Sequence, residues 1–74
     1  MLEMRPDCER CGKSLPADEG GAAICSFECT FCAQCAAHMD GICPNCSGIL
    51  SFRPTRAPEL LVKFPQSVVR QYKP

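Results

Sequence analysis

Apolar and polar residues form a recognisable pattern at one place in the first half of the chain. The run AAICSFECTF, residues 22–31, has apolar positions on both sides of a polar centre. This pattern predicts a tight β-hairpin that turns across Ser26–Glu28, with Ile24 and Phe31 facing inwards. The segment that follows favours a helix instead. In CAQCAAHMDGI we expect a helical turn or two after Cys35, ended by Gly41.

The last third of the chain has a different composition. RPTRAP, residues 53–58, contains two prolines and predicts an extended linker. The apolar run ELLVKF, residues 59–64, fits either a strand or one face of a helical turn. PQSVVRQY, residues 65–72, predicts a short helix with Pro65 near its start. Eight residues are marginal as an isolated helix in water, so we expect the tail to be either docked or disordered.

Large apolar side chains are too few to stabilise the first 52 residues alone. Ordering roughly 45 residues costs about 1.5 kcal/mol each, which a small core can barely oppose. Leaving aside Leu2 and the methionines, the large apolar residues in this segment are Leu15, Ile24, Phe27, Phe31, Ile42, Ile49, Leu50 and Phe52. Another source of stability is needed, and the eight cysteines of this 74-residue chain are the candidates.

Cysteines stabilise small domains either as disulfides, which require an oxidising compartment, or as metal ligands. The N-terminal segment MLEMRPDCER is charged and lacks the apolar stretch of a secretory signal. No segment has the roughly 20 apolar residues of a membrane span. We therefore expect a cytoplasmic, metal-binding protein with no membrane partner.

Charge is unevenly distributed, although the formal net charge is zero. Residues 1–48 hold three basic and seven acidic side chains, a balance of −4, whereas residues 49–74 hold five basic and one acidic, a balance of +4. Eight thiolates with two zinc ions would make the first segment more negative still. Proteins that bind nucleic acid instead cluster Lys and Arg against phosphates, so a nucleic-acid partner is not expected.

The cysteines occur in four close pairs with the spacing C-x2-C-x13-C-x3-C-x2-C-x2-C-x7-C-x2-C. Three of the pairs are CxxC, whose two intervening residues form a turn that directs both sulfurs at one tetrahedral ion. CERCG has Gly12 after its second cysteine, where positive φ is often needed. CPNCSG has Pro44 at the first turn position and Gly48 just beyond. These pairs predict two closed four-cysteine zinc sites.

Two pairings are compatible with this spacing. In a sequential scheme the first two pairs share one ion and the last two share the other. In an interleaved scheme the sites are Cys8, Cys11, Cys32 and Cys35 (site one) and Cys25, Cys29, Cys43 and Cys46 (site two). Structural zinc contributes roughly 10–16 kcal/mol of apparent binding free energy in finger peptides, so either scheme would suffice energetically.

The order and gaps of the eight ligands resemble the RING-finger pattern over about residues 6–50. Phe31 before Cys32, the short helical stretch after Cys35 and Pro44 inside the last pair are also similar to that family. The resemblance implies the interleaved pairing in a cross-brace of the treble-clef type, with a short β-hairpin and one short helix.

The chain resembles more closely a family of small uncharacterised bacterial proteins, the domain-of-unknown-function family 1272. The stretches that carry this resemblance are the opening MLEMRPxCERC and the run ICSFECTFCxxC followed by CPNC. They span most of the cysteine-rich segment and imply no known activity.

The chain also departs from the RING pattern. Cys29 stands where RING fingers usually have histidine, and the gap before Cys43 is short. Many RING fingers recruit a ubiquitin-conjugating enzyme through an apolar residue in the first pair and a basic residue after the last cysteine. Here the first pair encloses Glu9 and Arg10, and Ser47 follows the last cysteine. Ubiquitin-ligase-like activity is therefore kept as an alternative, and no enzymatic activity is expected.

Thiolate sites also suit iron, and CTFCAQC, residues 29–35, resembles the C-x2-C-x2-C run of bacterial ferredoxins. The seven-residue gap before Cys43 does not fit that motif, and four cysteines would be left over. A CxxC pair can also cycle between dithiol and disulfide, so a redox-sensitive zinc switch is a further alternative.

The remaining candidates for chemistry have simpler interpretations. His38, the single histidine, is expected to be a partly exposed helix residue rather than a ligand. Asp7, Glu9 and Glu28 are expected to form a solvated face near the cysteines. The cations of the tail are expected to keep a proline-rich segment soluble; they are Arg53, Arg56, Lys63, Arg70 and Lys73.

The sequence thus predicts a small zinc-stabilised domain with little regular structure, RING-like, over residues 1–52. A proline-rich basic tail over residues 53–74 follows it. We expect two structural Zn²⁺ ions that hold loops 13–24 and 36–42 rigid for an unidentified protein partner.

Overall fold

The structure, a computed structural model, describes residues 1–72. Lys73 and Pro74, at the end of the predicted tail, lie outside the described residues. The elements are all short, and they are β1 (Ala22–Ile24), β2 (Thr30–Cys32), α1 (Ala33–His38), β3 (Ser51–Phe52) and α2 (Pro58–Leu61). A small domain with a hairpin and little regular structure is therefore confirmed.

The predicted hairpin is present, with β1 and β2 antiparallel and the turn between them. β3 pairs with the other edge of β1, so the sheet order is β2-β1-β3. The expectation that Ile24 and Phe31 face the same way is wrong. Ile24 lies opposite Thr30, and Phe31 lies opposite Ala23. Because side chains alternate along a strand, Ile24 and Phe31 occupy opposite faces. Phe31 is buried and Ile24 is half-buried.

Sulfur provides much of the core. Five of its eight clustered buried residues are cysteines, packed around Phe31 and Leu15. Four of the large apolar residues of the first 52 positions are instead exposed: Phe27 (72%), Ile42 (45%), Ile49 (75%) and Phe52 (83%). The apolar core is therefore even smaller than the sequence suggests, which strengthens the need for a second source of stability.

Helix α1 begins earlier than predicted. Cys32 is its N-cap, and the Cys32 sulfur accepts a hydrogen bond from the backbone N–H of Cys35 at 3.5 Å. The helix also ends earlier than the predicted Gly41: His38 is its last residue, Met39 is the C-cap, and left-handed Asp40 closes the turn, with the N–H of Gly41 donating to the carbonyl of Ala36. The third cysteine pair thus connects the end of β2 to the first turn of α1.

The tail combines one helical turn with an extended segment. Of the two interpretations of residues 59–64, the helical turn is the one observed, as α2. The predicted helix over residues 65–72 is wrong, since this segment has no regular structure. Val68 and Val69 are exposed, so burial of their side chains does not hold this segment in place. Its backbone N–H groups bond to the N-terminal segment instead; that of Ser67, for example, donates to the carbonyl of Glu3 at 3.1 Å.

Two arginines fasten the tail to the cysteine-rich segment. Arg53 is 4% exposed and donates to the carbonyl oxygens of Arg5 and Leu15, each at 2.8 Å. Arg56 donates to the carbonyls of Leu2 and Phe64. The expectation that these cations serve solubility is therefore wrong, because their charge is used to satisfy backbone carbonyls inside the fold. Within residues 1–72, no helix is long and apolar enough to cross a membrane.

Candidate metal centres

The first cysteine pair lies in a loop closed by a β-bridge between Asp7 and Ser14. We call residues 7–14 the first knuckle. The N–H of Cys8 donates to the carbonyl of Lys13, and the N–H of Gly12 donates back to the carbonyl of Cys8, both at 2.9 Å. Gly12 has φ of 80°, as its position after the second cysteine predicts.

The last cysteine pair lies in a loop of the same construction, residues 42–49, which we call the last knuckle. A bridge between Ile42 and Ile49 closes it, and the N–H of Cys43 donates to the carbonyl of Gly48 at 2.8 Å. The left-handed residue is Ser47, with φ of 63°, and not Gly48. Gly48 has a different role, since a Cβ there would lie 3.2 Å from the sulfur of Cys46.

Site one assembles the first and third pairs, so that the sulfurs of Cys8, Cys11, Cys32 and Cys35 all lie within 4.8 Å of one another. The sulfurs of Cys11 and Cys32 are 3.8 Å apart. Zinc–sulfur bonds of 2.3 Å in a tetrahedron separate the sulfurs by about 3.8 Å. The four thiols therefore fit a single metal ion.

Glu9 explains why the first knuckle lies next to the third pair. Its backbone N–H donates to the carbonyl of Thr30 at 2.9 Å, and its carboxylate accepts from the N–H of Thr30 at 2.7 Å. Arg5 neutralises this carboxylate at 3.0 Å. These contacts fasten the first knuckle along the free edge of β2, beside the helix start that carries the third pair.

Two of the three acidic residues near the cysteines, Asp7 and Glu9, are thus structural, and the expectation of a solvated face is wrong for them. Glu9 is half-buried against Thr30. Asp7 is fully buried. Glu28 accepts a hydrogen bond from the backbone N–H of Glu3 at 2.9 Å.

Site two assembles the second and fourth pairs. The sulfurs of Cys25, Cys43 and Cys46 lie within 4.8 Å of one another. Cys29 lies outside this close group, although its thiol contacts those of Cys25 and Cys43. Two pairs therefore meet here, with three thiols close together and the fourth beside them. The first pair therefore groups with the third, and Cys25 groups with the fourth pair.

Hydrogen bonding lowers the pKa of one thiol in each cluster. Burial alone would raise the pKa of Cys8, but the backbone N–H groups of Cys32, Cys11 and Arg10 lower that pKa to about 7. In site two, burial would likewise raise the pKa of Cys25. Hydrogen bonds lower that pKa to about 7, and the first of them comes from the backbone N–H of Phe27, 3.3 Å from the sulfur. Each cluster therefore holds one thiol that is readily ionised at neutral pH.

Burial raises the pKa of two other thiols, that of Cys29 to about 11 and that of Cys35 to about 12. These two thiols become thiolates only where a cation compensates them. Arg10 supplies part of that compensation in site one, with its guanidinium 3.5 Å from the sulfur of Cys35. A metal ion would supply the rest.

The contacts of several residues around the clusters are not predicted by the sequence. Arg10 and Asp7 of the first knuckle contact Cys35 and the tail, Tyr72 packs on Gly12, and the side chain of Asn45 contacts the thiol of Cys29. None belongs to a ligand motif, so the spacing gives no signal for them. His38 is exposed on α1 and belongs to neither cluster, as expected.

The fold and the clusters define a small cysteine-rich protein with two groups of thiols that could hold metal ions. The chain belongs to the family described as "Protein of unknown function (DUF1272)", whose model matches residues 1–56. An uncharacterized protein of Rhizobium meliloti (strain 1021) is 53% identical over 75 residues, which cover 100% of this chain and 89% of the relative. No solved structure matches the chain.

Proposed function

We propose that this protein is a zinc-stabilised interaction module whose two metal sites are structural. The observation that carries the proposal is the geometry of site one, where four sulfurs lie within 4.8 Å and one pair stands at the tetrahedral spacing of 3.8 Å. Cys8, Cys11, Cys32 and Cys35 would hold one ion. Cys25, Cys29, Cys43 and Cys46 would hold the other.

The chemistry of the donor set supports zinc and a structural role. Thiolates select zinc and iron–sulfur clusters over hard cations, and a tetrahedral four-thiolate site is typical of structural zinc. Four thiolates fill the coordination sphere, so no position is left for water or substrate. Catalysis forms no part of the proposal for this reason. The interleaved clusters also support a RING-like cross-brace, in which each ion would link segments distant in sequence.

The exposed apolar side chains support a protein partner. Phe27, Ile49 and Phe52 are each more than 70% exposed. Exposed large apolar groups are typical of surfaces that other proteins cover where the groups adjoin, and Ile49 and Phe52 are three residues apart in the chain. A cytoplasmic location belongs to the same proposal, because free thiols and thiolate-bound zinc persist in a reducing compartment.

Metal analysis of the purified full-length protein, prepared with a thiol reductant, tests the site assignment. We expect two zinc ions per chain. Cys8→Ser should reduce the content to one ion or unfold the protein, because it removes a buried ligand of site one. His38→Ala is the matched control and should retain both ions, since the imidazole lies outside the clusters. An iron absorption band, or two ions retained in Cys8→Ser, would contradict the assignment.

A redox-sensitive zinc switch is a second candidate, favoured by the exposure of Cys11. Its sulfur is 3.8 Å from that of Cys32. A peroxide would accept two electrons from these two thiolates and, with two protons, form two waters as the disulfide forms and zinc leaves. The test is one zinc released per peroxide consumed, together with a Cys11–Cys32 disulfide found by mass spectrometry. Zinc retained after peroxide treatment would exclude the switch.

A further inference from the structure

The end of the tail binds to the first knuckle through a buried carboxylate. Asp7 is 0% exposed, and its two oxygens accept hydrogen bonds from successive backbone N–H groups, those of Gln71 and Tyr72, each at 2.9 Å. Two consecutive peptide N–H groups on one carboxylate fix both the position and the direction of an extended chain. This is a charge-assisted contact in a buried setting, and such contacts are the stronger kind.

Two side chains of the tail add selectivity. The guanidinium of Arg70 donates to the carbonyl of Gly12 at 2.8 Å, and its Nε lies 3.5 Å from the carboxylate of Asp7. The ring of Tyr72 packs directly on Gly12, where an added Cβ would lie 2.9 Å from the ring. The first knuckle therefore contacts an arginine and an aromatic ring separated by one residue.

The groups that hold the tail are parts of the metal-binding loop. Asp7 immediately precedes Cys8, and Gly12 immediately follows Cys11. The φ of 80° at Gly12 and the bond from its N–H to the carbonyl of Cys8 belong to the turn that directs both sulfurs into site one. A chain that loses this turn also loses the arrangement that accepts the tail.

We propose that the first knuckle is a binding site for an extended peptide segment of the type Arg-Xaa-Tyr, occupied here by residues 70–72 of the same chain, and that this binding is coupled to metal binding in site one. The inference rests on the proposed function in requiring a metal in site one. Coupling is reciprocal, so a metal that fixes the knuckle strengthens tail binding, and a bound tail strengthens metal binding by the same factor.

Site two should not share this coupling. Within residues 1–72, the hydrogen bonds that Arg70, Gln71 and Tyr72 make to the cysteine-rich segment all go to Asp7 and Gly12. The structure therefore assigns the tail to one metal site and leaves the other as an internal reference.

The chain carries its own reporter for tail binding, because Tyr72 is its single tyrosine and it has no tryptophan. Tyrosine fluorescence anisotropy of the full-length zinc protein therefore reports the tail alone. We expect Arg70→Ala to lower this anisotropy and Lys63→Ala, which changes an exposed cation without a role at the knuckle, to leave it unchanged.

Metal affinity is measured in the same variants with ¹¹³Cd as the probe, since two thiolate sites give two resolvable signals. Correlation of one signal with the β-protons of Cys11 identifies site one. In competition with a chelator, Arg70→Ala should lower the metal affinity of site one at least fivefold, which is the lower end of typical coupling between sites. Site two should change less than twofold. Equal weakening of both sites, or of neither, overturns the coupling.

Binding in trans is tested with an unlabelled peptide of the sequence VVRQY, amidated at its end, added to the ¹⁵N-labelled zinc protein. It should displace the tail and shift the Tyr72 amide, whereas VVAQY should be at least fivefold weaker. No displacement at millimolar peptide, or equal displacement by both peptides, overturns the peptide site. A protein that binds no metal contradicts the proposed function instead. A protein that binds two metal ions, with affinities that Arg70→Ala does not change, contradicts this inference alone.

Discussion

The first knuckle, residues 7–14, and the last knuckle, residues 42–49, have the same backbone design in different surroundings. Each is closed by a β-bridge between its end residues. In each, the backbone N–H of the first cysteine donates to the carbonyl of the residue five positions later in the chain. The carbonyl of that cysteine accepts a hydrogen bond from the N–H of the residue four positions later. The residue after the second cysteine has positive φ in both. The turn that carries a cysteine pair is thus one structure used twice.

The residues at matching positions differ, and so does what covers each turn. The bridge of the first knuckle begins with Asp7, which is buried under the tail, whereas that of the last knuckle begins with Ile42, which is exposed. In the first knuckle the residue with positive φ is Gly12, which lies under the ring of Tyr72. In the last knuckle it is Ser47, which is exposed. The turn therefore sets the positions of the two sulfurs, while the flanking residues decide which surface the turn presents.

The largest expected effect is the loss of both turns together on metal removal. Chelation under reducing conditions should unfold the cysteine-rich segment, because structural zinc supplies roughly 10–16 kcal/mol of apparent binding free energy per site and the apolar core is small. The measurement is the dispersion of amide resonances in a ¹⁵N spectrum before and after chelation, with zinc added back as the reversibility control. A stripped protein that kept its dispersed spectrum would show that packing alone holds the fold.

Lowering the pH should weaken both sites in parallel, since a proton competes with the metal for every thiolate. If the metal-free chain is unfolded, the backbone donors at Cys8 and Cys25 are gone and all thiols have an ordinary pKa near 9.0. Binding then displaces about four protons per ion, and the affinity falls by about four powers of ten per pH unit between pH 8 and pH 6.

A folded metal-free chain gives a different result, which makes the pH profile a check on the chelation experiment. With a pKa of about 7 for Cys8 and for Cys25, one thiolate per site would already exist above pH 7. Metal binding would then displace about three protons per ion above pH 7 and about four below it, and the slope of log affinity against pH would change accordingly. Chelator competition at a series of pH values measures the slope, and a break near pH 7 would contradict metal-dependent folding.

Local features of this fold are readable from the sequence, and distant contacts are not. The cysteine pairs, the hairpin turn and the presence of α1 depend on residues a few positions apart, so their patterns carry the information. The interleaved pairing is different: spacing leaves it open, and resemblance to the RING pattern implies it. In the structure, hydrogen bonds between Glu9 and Thr30 bring the first cysteine pair beside the third. These residues are 21 positions apart in the chain, so the sequence pattern does not predict their contact.

The same distinction explains the wrong expectations. Asp7 and Arg53 are charged residues of ordinary appearance, and a sequence favours exposure for such residues. Each is buried because its partners come from far along the chain: the N–H of Tyr72 for Asp7, and the carbonyl of Leu15 for Arg53. The segment over residues 65–72 is extended for the same reason, since its backbone hydrogen bonds go to the first knuckle and to the N-terminal segment.

Gly12→Ala should produce a smaller effect confined to the first knuckle. An alanine at φ of 80° is strained, and its Cβ would lie 2.9 Å from the Tyr72 ring. We expect a loss of about 2 kcal/mol in the free energy of unfolding, measured with guanidinium at fixed free zinc. Gly20→Ala is the matched control, because it has open space around its Cα and no positive φ. Equal stability of the two variants would show that neither the strain nor the ring contact matters.

Ser47→Gly is the opposite change at the matching position of the last knuckle, and its effect should be the smallest. Ser47 has φ of 63° and an exposed side chain, so the substitution removes conformational strain without removing a packed group. The left-handed conformation costs a non-glycine residue roughly 1–2 kcal/mol. Glycine avoids this cost, but the greater entropy of its unfolded chain offsets about half of the gain in stability. The variant should therefore be more stable by about 0.5 kcal/mol under the same denaturation conditions. Ser51→Gly, in the extended backbone of β3, is the control and should be less stable by a similar amount. If Ser47→Gly also lost stability, the Ser47 side chain would be contributing to the last knuckle, and the two turns would differ in more than their surroundings.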